Sequence, residues 1–487
     1  MSKSFVGRSG KRARSVTETE FDHMKRSKLA MTAPSTMAQP SYYEENQKTS
    51  SEKILDDRPK VDPHIAPISL LYDGFGDFLD IFDGRADVPG LAEVNILELH
   101  KAVDDFALKM CRFYDNDDER RTAALPALNC IFSARTGTTI PSLLAAAIGS
   151  LRTDGHNVTK HGGGALIAQF KNRSAGINAI PEVELTGYVA HSHATGMEEH
   201  QDLFERWRVP SLGLTVVGPD LRFYGIIAID HQYRLVNLTP NLSCIPSASD
   251  GRDRKALYKA FSAASVLQAR ILEDAQKFLT ALPPEIQPTA RRFPSVTQLR
   301  KWGSSTEYIS FQILGFHPDR QDYRLLYLAE TTGPEKRTIV IKFVPSYSVD
   351  LHAFCANRGF APPILAFEQL PGGWKAVAMG YIPSGTIITK SSGLDTHRDR
   401  WTHELLQLVN DFHVEGLVHG DLRDANIICN GHDMMLLDFD WGGQDGQVFY
   451  PTPNLNSELL EGRSSNDLKI TKEDDNRILK KTLGKLT

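Results

Sequence analysis

Two stretches of this sequence indicate its fold most strongly: HGDLRDANI at residues 419–427 and LLDFDWGG at residues 436–443. Phosphoryl transfer requires a carboxylate that orients the acceptor hydroxyl and oxygen ligands that hold magnesium against the nucleotide phosphates. Asp421 and Asn426 offer such a pair on one short loop, and the apolar run MMLL predicts a buried strand leading to Asp438. The two stretches therefore predict a phosphotransfer site with Asp421 as catalytic carboxylate and Asp438 as metal ligand.

A candidate nucleotide-binding region lies upstream. The run TIVIKF at residues 338–343 predicts a β-strand with Lys342 near its end, and WKAVAMGYIPSG at residues 374–385 predicts another strand. Each residue alone has an ordinary structural interpretation, since Lys342 fits a surface strand and Asp438 fits a turn. The order and spacing of the whole set favour a functional site over these separate explanations.

Together these motifs resemble the protein kinase-like superfamily, whose catalytic loop reads HRD or HGD with an asparagine five positions later, and whose metal loop reads DFG. The resemblance implies that Lys342 contacts the α- and β-phosphates of ATP. It also implies that Met379 and Tyr381 lie near the adenine, and that Asn426 and Asp438 hold magnesium. ATP and magnesium are therefore the expected cofactors.

The details are similar to the fungal-type protein kinases, through HGDLRDANI, GFAPPIL at residues 359–365 and the stretch at residues 451–475. Arg423 stands where Ser/Thr kinases usually carry lysine, and as a planar donor it can neutralise the transferring phosphoryl group. The resemblance favours Ser/Thr protein substrates. Because choline kinases and aminoglycoside phosphotransferases share the HGD form, a small-molecule acceptor remains an alternative.

Three features depart from the kinase pattern. Residues 309–328 contain only Gly315 where a glycine-rich phosphate loop is expected. The segment after Lys342 has no glutamate, so Asp350 and His352 are the candidates for orienting the lysine. No APE motif follows the metal loop, which predicts a truncated helical lobe. A nucleotide-binding pseudokinase or scaffold is therefore a second hypothesis.

An α/β domain is predicted ahead of the kinase-like region. An amphipathic helix is expected from residue 96, four β-rich runs between residues 164 and 238, and a long helix at residues 254–279. This part resembles a restriction-endonuclease-like domain, as found before fungal-type kinases and in some Crinkler-type proteins.

The nuclease resemblance places Asp154 at the first acidic position and Lys171 at the lysine, but Gln169 stands where glutamate is expected. An amide oxygen binds magnesium more weakly than a carboxylate, so a degenerate nuclease site is expected. Glu184 and Tyr188 are candidate remnants of the same site, and packing explains them equally well. Nuclease activity remains a third hypothesis.

The predicted organisation is a disordered tail at residues 1–60, the α/β domain at 61–280, a proline-rich linker at 281–296, and a two-lobed α+β kinase-like domain at 297–487. Two basic clusters in the tail resemble a bipartite nuclear localisation signal: Lys11, Arg12 and Arg14, then Lys25, Arg26 and Lys28. A solvated basic tail explains them equally well. Nucleic acid is a possible partner of the tail or the α/β domain.

Composition adds few constraints. The net charge of -5 indicates neither a nucleic-acid nor a membrane partner. The five cysteines are scattered without a CxxC pair, so no disulfide is expected, and the compartment is predicted to be reducing. No apolar run approaches the roughly 20 residues of a membrane helix and no signal peptide is recognised, so an intracellular protein is predicted.

Overall fold

The structure is a computed structural model, and it describes residues 28–49, 53–149, 151–157, 159, 162–172, 179–229, 232–246, 251–318, 324–383, 385–463 and 467–486. The helices are α1 (Lys28–Met31), α2 (Pro34–Met37), α3 (Pro40–Thr49), α4 (Ile68–Leu71), α5 (Asp73–Asp83), α6 (Ile96–Met110), α7 (Asp117–Ser133), α8 (Pro181–Arg206), α9 (Arg252–Thr280), α10 (Val349–Ala356), α11 (Leu394–Val414), α12 (Ser457–Leu460) and α13 (Lys472–Gly484). The strands are β1 (Ala147–Ile148), β2 (Leu151–Arg152), β3 (Gly155–His156), β4 (Leu166–Lys171), β5 (Pro210–Val217), β6 (Asp220–Ile229), β7 (Gln232–Asn237), β8 (Leu242–Ser243), β9 (Gln298–Arg300), β10 (Tyr308–Phe316), β11 (Leu325–Thr331), β12 (Thr338–Val344), β13 (Ile364–Gln369), β14 (Lys375–Gly380), β15 (Thr386–Ile387), β16 (Leu417–Val418), β17 (Ile427–Asn430), β18 (Asp433–Leu436) and β19 (Gly443–Gln444).

The chain divides into two compact units. The first comprises the residues up to Val61 and Ala86–Arg291, and the second comprises Asp62–Arg85 and Arg292–Thr487. The division after Arg291 falls inside the proline-rich segment predicted as a linker. Residues 62–85 differ from the prediction, which counted them with the α/β domain, because their contacts are with the second unit.

The first unit is built on a mixed sheet with the order β3-β4-β5-β6-β7, and β8 also pairs with β6. Strands β4 and β5 run parallel, joined through α8, while β5, β6 and β7 form an antiparallel meander. The predicted strands, the predicted helices at residues 96 and 254–279, and the meander are confirmed. These strands were recognisable in the sequence because both faces of the sheet are covered, so the strands are apolar along most of their length.

Neighbouring residues on β6 show how the two faces are covered. Phe223 lies edge-on to Phe261 of α9, with ring centroids 5.3 Å apart. Tyr224, the next residue, belongs to the hydrophobic cluster that includes Leu185 and Val189 of α8. Successive strand residues point to opposite faces, so α9 and α8 cover opposite sides of the sheet.

The predicted disordered tail is wrong for residues 28–49, which form α1, α2 and α3. Leu29, Met37 and Tyr43 are buried in the same hydrophobic cluster as α8. The approach is close, because a Cβ added at Gly187 of α8 would lie 3.0 Å from Pro34. Helices this short present too few apolar residues to show a period, so only tertiary packing stabilises them. Lys11, Arg12, Arg14, Lys25 and Arg26 lie outside the described residues, as does the Lys28 side chain.

The second unit contains an antiparallel sheet with the order β13-β14-β12-β11-β10-β9. Strand β12 lies inside this sheet between β11 and β14, and it places Lys342 opposite Leu326 and Val377. The strand predicted from TIVIKF is confirmed, and it is buried at every position after Thr338, as expected for a central strand. The pairing with β11 and β14 therefore fixes the position of Lys342 along the sheet and the face from which its side chain projects.

Helices and short strands form the rest of this unit. Trp401, Leu405 and Phe412 of α11 share a hydrophobic cluster with Ile478 and Leu479 of α13. The short strands β17 and β18 form a hairpin beside β15, and β18 ends just before Asp438. The predicted strand MMLL is thus confirmed, and it leads the chain from the core to the candidate site.

Helices α4 and α5 belong to the second unit through specific contacts. Asp80 accepts a hydrogen bond from the backbone of Gly372 at 3.1 Å, and Ser69 accepts one from the indole of Trp374 at 3.0 Å. A Cβ added at Gly76 would lie 2.6 Å from Pro371, so only glycine permits this approach. These contacts join residues about 300 positions apart, which local sequence patterns do not report.

Among the described residues, no helix combines the length and apolarity required to cross a membrane.

Candidate functional site

A cavity of about 860 Å³ lies beside β12 and β14 in the second unit. Residues selected from the sequence line it, namely Lys342, Met379, Tyr381, Arg423, Asn426 and Asp438. Asp421 is buried next to this surface and is hydrogen-bonded to two lining residues, Arg423 and Asn426. The structure therefore brings these predicted residues of the second unit to one site.

Lys342 is a buried cation that lines the cavity. Its Nζ lies 2.5 Å from Oδ1 of Asp438 and 2.5 Å from Oδ1 of Asp440. Burial by itself would lower the pKa of Lys342, but attraction to Asp438 and Asp440 outweighs it, so the pKa is raised. The lysine is thus kept charged in a site where an isolated ammonium would be costly.

Asp438 has an unusual backbone, with a φ of 68°. A non-glycine residue in this left-handed region costs on the order of 1 kcal/mol, and such strain is commonly found at functional sites. Its Oδ2 lies 2.7 Å from Nη1 of Arg324, at the start of β11. Burial opposes ionisation of Asp438, but Lys342 and Arg324 together hold its pKa below the usual value, so the carboxylate stays charged.

Asp440 responds differently to the same surroundings. Burial comes first among the causes that raise its pKa to about 7, and the neighbouring charge of Asp438 adds to it, while Lys342 acts in the opposite direction. The difference follows from the number of cations, because Asp438 contacts two and Asp440 contacts Lys342. Two carboxylates close together resist double ionisation.

The loop at residues 419–426 is held by buried hydrogen bonds. The backbone N–H groups of His419 and Gly420 donate to the Asp475 carboxylate at 2.7 and 2.8 Å. The Nδ1 of His419 accepts from the Asp421 N–H at 3.2 Å, so Nε2 carries the ring proton donated to the Leu437 carbonyl at 3.0 Å. His419 thereby links the loop at residues 419–426 to Leu437, the residue before Asp438.

The Asp421 carboxylate is bound by Arg423 through two hydrogen bonds, 2.5 Å from Nε and 2.7 Å from Nη2. This two-point contact fixes the carboxylate plane as well as its charge. Asn426 donates its side-chain N–H to the Asp421 carbonyl at 3.0 Å. This donation leaves the amide oxygen of Asn426 as the atom able to ligate a cation.

The side of the cavity predicted to accept adenine is formed by the end of β14. Met379 pairs with Val340 on one neighbouring strand and with Ile364 on the other, and Tyr381 follows just beyond the strand. The ring of Tyr381 lies edge-on to His317, 6.0 Å between centroids, and both line the cavity. Residues 319–323, inside the segment where a glycine-rich loop was sought, lie outside the described residues.

The predicted lysine partners on α10 differ from those observed. Asp350 is exposed. The two ring nitrogens of His352 contact the Tyr347 hydroxyl at 2.7 Å and the Pro362 carbonyl at 2.8 Å. Burial lowers the pKa of His352 to about 4, so it is a neutral packing residue. These candidates come from the segment that follows Lys342 in the sequence, whereas tertiary packing places Asp438 and Asp440 against the lysine instead.

The residues selected in the first unit also lie near one another, around β3, β4 and the start of α8. Lys171 Nζ is 3.0 Å from Oε2 of Glu184. Asp154 accepts from the Phe170 N–H at 3.0 Å and lies 3.2 Å from Arg121. Tyr188 is close as well, since its pKa is raised by burial first and then by the charges of Glu184 and Asp154.

Gln169, on β4 between these groups, is buried and its Oε1 has no hydrogen-bond partner within the described structure. A cleft of about 660 Å³ at the start of α7 includes Arg121, but Asp154, Gln169, Lys171 and Glu184 do not line it. The first unit thus pairs Lys171 with Glu184, leaves Asp154 to Phe170 and Arg121, and keeps all of these groups outside that cleft.

No family model matches the chain. No curated protein matches it either. Solved structures do match, among them the kinase PK-1 of Cydia pomonella granulovirus, which is 15% identical, with 36% of this chain and 70% of that chain covered and a TM-score of 0.31.

The donor set in the second unit fits a magnesium ion. A carboxylate oxygen of Asp438 and the amide oxygen of Asn426 are hard oxygen ligands that face the same cavity. Magnesium usually keeps several waters and takes its remaining ligands from nucleotide phosphates, so two protein ligands suffice. Among the described residues, no group of three or more His, Cys, Asp or Glu side chains is arranged to hold a metal.

Sequence patterns assign no role to three residues that contact the candidate site or support its loop. Asp440 was visible as the third residue of DFD, where the kinase pattern has glycine, but it received no role. Arg324 ends a polar stretch with no local signal. Asp475 lies 55 residues from Gly420, and only folding shows that its carboxylate supports the loop at residues 419–426.

Proposed function

We propose that the second unit is an ATP- and magnesium-dependent phosphotransferase that acts on hydroxyl acceptors. The observation that carries the proposal is the convergence of Lys342, Asn426 and Asp438 on one cavity, with Asp421 held beside it. Lys342 would be the cation that binds phosphate, and Asn426 and Asp438 would be oxygen ligands of the metal. Asp421 would be the carboxylate that orients the acceptor. Positioning and electrostatic stabilisation by such groups account for most of phosphoryl-transfer catalysis.

The nucleotide would bind with its adenine near Met379 and Tyr381 and its phosphates toward Lys342. Asp438 and Asn426 would hold magnesium, which would neutralise charge on the phosphates. Lys342 and Arg324 both contact Asp438, so a magnesium ion held by this carboxylate would take the place of at least one of the two contacts. Arg324 is then positioned to supply a side-chain contact to phosphate, where a glycine-rich loop would use backbone N–H groups.

Asp421 would orient the acceptor. The acceptor oxygen attacks the γ-phosphorus, its proton passes to Asp421, and the bond from the γ-phosphorus to the bridging oxygen of ADP breaks. Arg423 donates to both oxygens of Asp421, and each carboxylate oxygen has a further lone pair, so Asp421 can accept the acceptor hydroxyl without losing this contact. The guanidinium held there lines the cavity and would face the transferring phosphoryl group.

The acceptor class that we propose is Ser or Thr in proteins, following the resemblance to fungal-type protein kinases. A choline- or aminoglycoside-type acceptor and a non-catalytic nucleotide-binding scaffold are the alternatives. They can be separated with the purified full-length chain, magnesium and ATP labelled in the γ-phosphate. The label is followed with the chain alone, with a mixed protein acceptor, and with choline or an aminoglycoside.

Label in protein but not in the small molecules supports the proposal, and the reverse supports the small-molecule alternative. Nucleotide binding without transfer to any acceptor favours the scaffold. If the chain binds no nucleotide, the proposed phosphotransferase function is wrong.

A second candidate function, divalent-cation binding by a nuclease-like site, applies to the first unit. Glu184 favours it, because this buried carboxylate from α8 contacts Lys171, which lies on the same strand as the uncharged Gln169. Asp154 would be the second carboxylate. Plasmid nicking with magnesium or manganese tests nuclease activity, and the degenerate site leads us to expect none without a further acidic group.

A further inference from the structure

The position of Asp440 suggests a role that α10 does not provide. Lys342 contacts two carboxylates, but Asp438 is also the proposed metal ligand. When Asp438 turns to a cation, a lysine buried in a central strand still requires an anionic partner to keep its position and charge. Asp440 Oδ1, at 2.5 Å from Nζ, is placed to be that partner.

The helix after β12 has no competing group on its inner face. Its buried positions are Leu351, His352 and Cys355, and both nitrogens of His352 already have partners. Its acidic residue, Asp350, is exposed. Among the residues described around Lys342, the carboxylates in contact with Nζ therefore both come from the metal loop.

The loop itself is anchored independently of the lysine. Phe439, between the two aspartates, is buried and stacks on His352 with ring centroids 4.5 Å apart and an angle of 10°. Its carbonyl accepts the Ser348 N–H at 2.9 Å. Asp440 is thus attached to a residue fixed against the start of α10, and it keeps a partner for Lys342 in place when Asp438 changes ligand.

We propose that Asp440 is the positioning residue for Lys342, a role given to the metal loop rather than to the following helix. The consequence is that one loop sets both the metal carboxylate and the phosphate-binding lysine. Without Asp440, Lys342 would pair with Asp438 alone, and magnesium–ATP would have to separate this pair before binding. The inference rests on the proposed nucleotide site.

The test is a double-mutant cycle on magnesium–ATP affinity, measured by calorimetry on the full-length chain. Asp440→Asn should weaken binding about tenfold, as expected from loss of one charge-assisted hydrogen bond. Asp440→Glu, which keeps the carboxylate, should lose less. The matched control is Asp433→Asn, an exposed aspartate at the start of β18, which should bind like the parent.

The cycle is completed in a Lys342→Met background. If Asp440 acts through the lysine, adding Asp440→Asn there should change the affinity less than twofold. The same tenfold loss in both backgrounds would overturn the proposal and favour direct ligation of the metal. Equal affinities of the parent and Asp440→Asn would also overturn it while leaving the nucleotide site intact. A parent that does not bind nucleotide would instead reject the proposed function.

A structural role alone predicts a different pattern. It would lower the melting temperature of Asp440→Asn and Asp440→Glu together, and it would not depend on Lys342. Melting temperatures of all variants are therefore compared with their affinities, and a loss of affinity that follows the melting temperature counts against the positioning role.

Discussion

The two units each place a lysine from a buried strand against a carboxylate, but the surroundings differ. In the second unit Lys342 contacts two aspartates and lines a cavity of about 860 Å³. In the first unit Lys171 contacts Glu184, and Asp154 is taken by a backbone N–H and Arg121. Similar side chains therefore differ in their ability to bind a ligand. A binding site needs a cavity, and it needs charged side chains whose present contacts the ligand can replace.

Charge balance sharpens the difference. Lys342 and Arg324 hold Asp438 ionised, whereas the polar groups of the first unit include an uncharged Gln169 without a hydrogen-bond partner in the described structure. A ligand in the second unit can exchange one ionic partner for another at small cost. A cation in the first unit would gain only an amide oxygen at the position of Gln169.

The largest effect is expected for Asp421→Ala. The variant should lose phosphotransfer by a factor of about 10² to 10⁴, because the acceptor hydroxyl loses its base, while ATP affinity stays within about threefold. Transfer of labelled γ-phosphate and calorimetry measure the two properties. Asp433→Ala, at an exposed position, is the control. Unchanged turnover of Asp421→Ala would remove this residue from the mechanism.

The nucleotide half of the site is tested by Lys342→Met and Asp438→Asn. Each should weaken magnesium–ATP binding by about 10 to 100-fold, since one removes the proposed phosphate-binding cation and the other the proposed charged metal ligand. Lys336→Met is the control, because Lys336 is 70% exposed and pairs with Glu330 on the sheet surface. If both site variants bind nucleotide as the parent does, the cavity is not the nucleotide site.

Asp475→Ala tests the support of the loop at residues 419–426. Its buried carboxylate accepts the backbone N–H groups of His419 and Gly420, and His413 Nε2 lies 3.2 Å away. Loss of these contacts should lower the free energy of unfolding by about 3 kcal/mol. Denaturant unfolding measures the change. Asp445→Ala, a partly exposed aspartate that pairs with Lys472, should change it by less than about 1 kcal/mol.

A smaller loss is expected for Arg324→Gln. If this arginine contacts the phosphates, magnesium–ATP affinity should fall about fivefold while the melting temperature stays near that of the parent. Arg337→Gln is the matched control, because Arg337 lies just before β12 and its side chain is 71% exposed. Higher affinity in Arg324→Gln would show instead that the arginine only competes with magnesium for Asp438.

The smallest effect is expected for Gln169→Glu, which places a third carboxylate near Asp154 and Glu184. Weak divalent-cation binding should appear, detectable by calorimetry in a full-length Asp438→Asn background that removes the charged ligand of the second unit. Cleavage of DNA need not follow. The same cation affinity with and without the change would show that these side chains do not form a metal site. The comparison would then leave the second unit as the one with a candidate cation site.

Local patterns predicted much of this fold because its central elements repeat apolar residues at helical or strand spacing. Strands β4 to β7, helix α9 and the strand carrying Lys342 were all recognisable in this way. The candidate site was also recognisable where its residues lie close in sequence, as Asp421, Arg423 and Asn426 do. Helices α1 to α3 escaped prediction because they are short and acquire stability only from packing.

The sequence by itself determined the chemical groups of the site and the strands and loops that carry them, since spacing within a loop or strand sets which side chains can act together. Tertiary structure alone decided the pairings across long separations: Arg324 with Asp438, Asp475 with the catalytic loop, and residues 62–85 with the second unit. It also decided that Lys342 meets Asp440 rather than a residue of α10. Such contacts depend on how distant elements pack in three dimensions, and local propensity and periodicity carry no information about that packing.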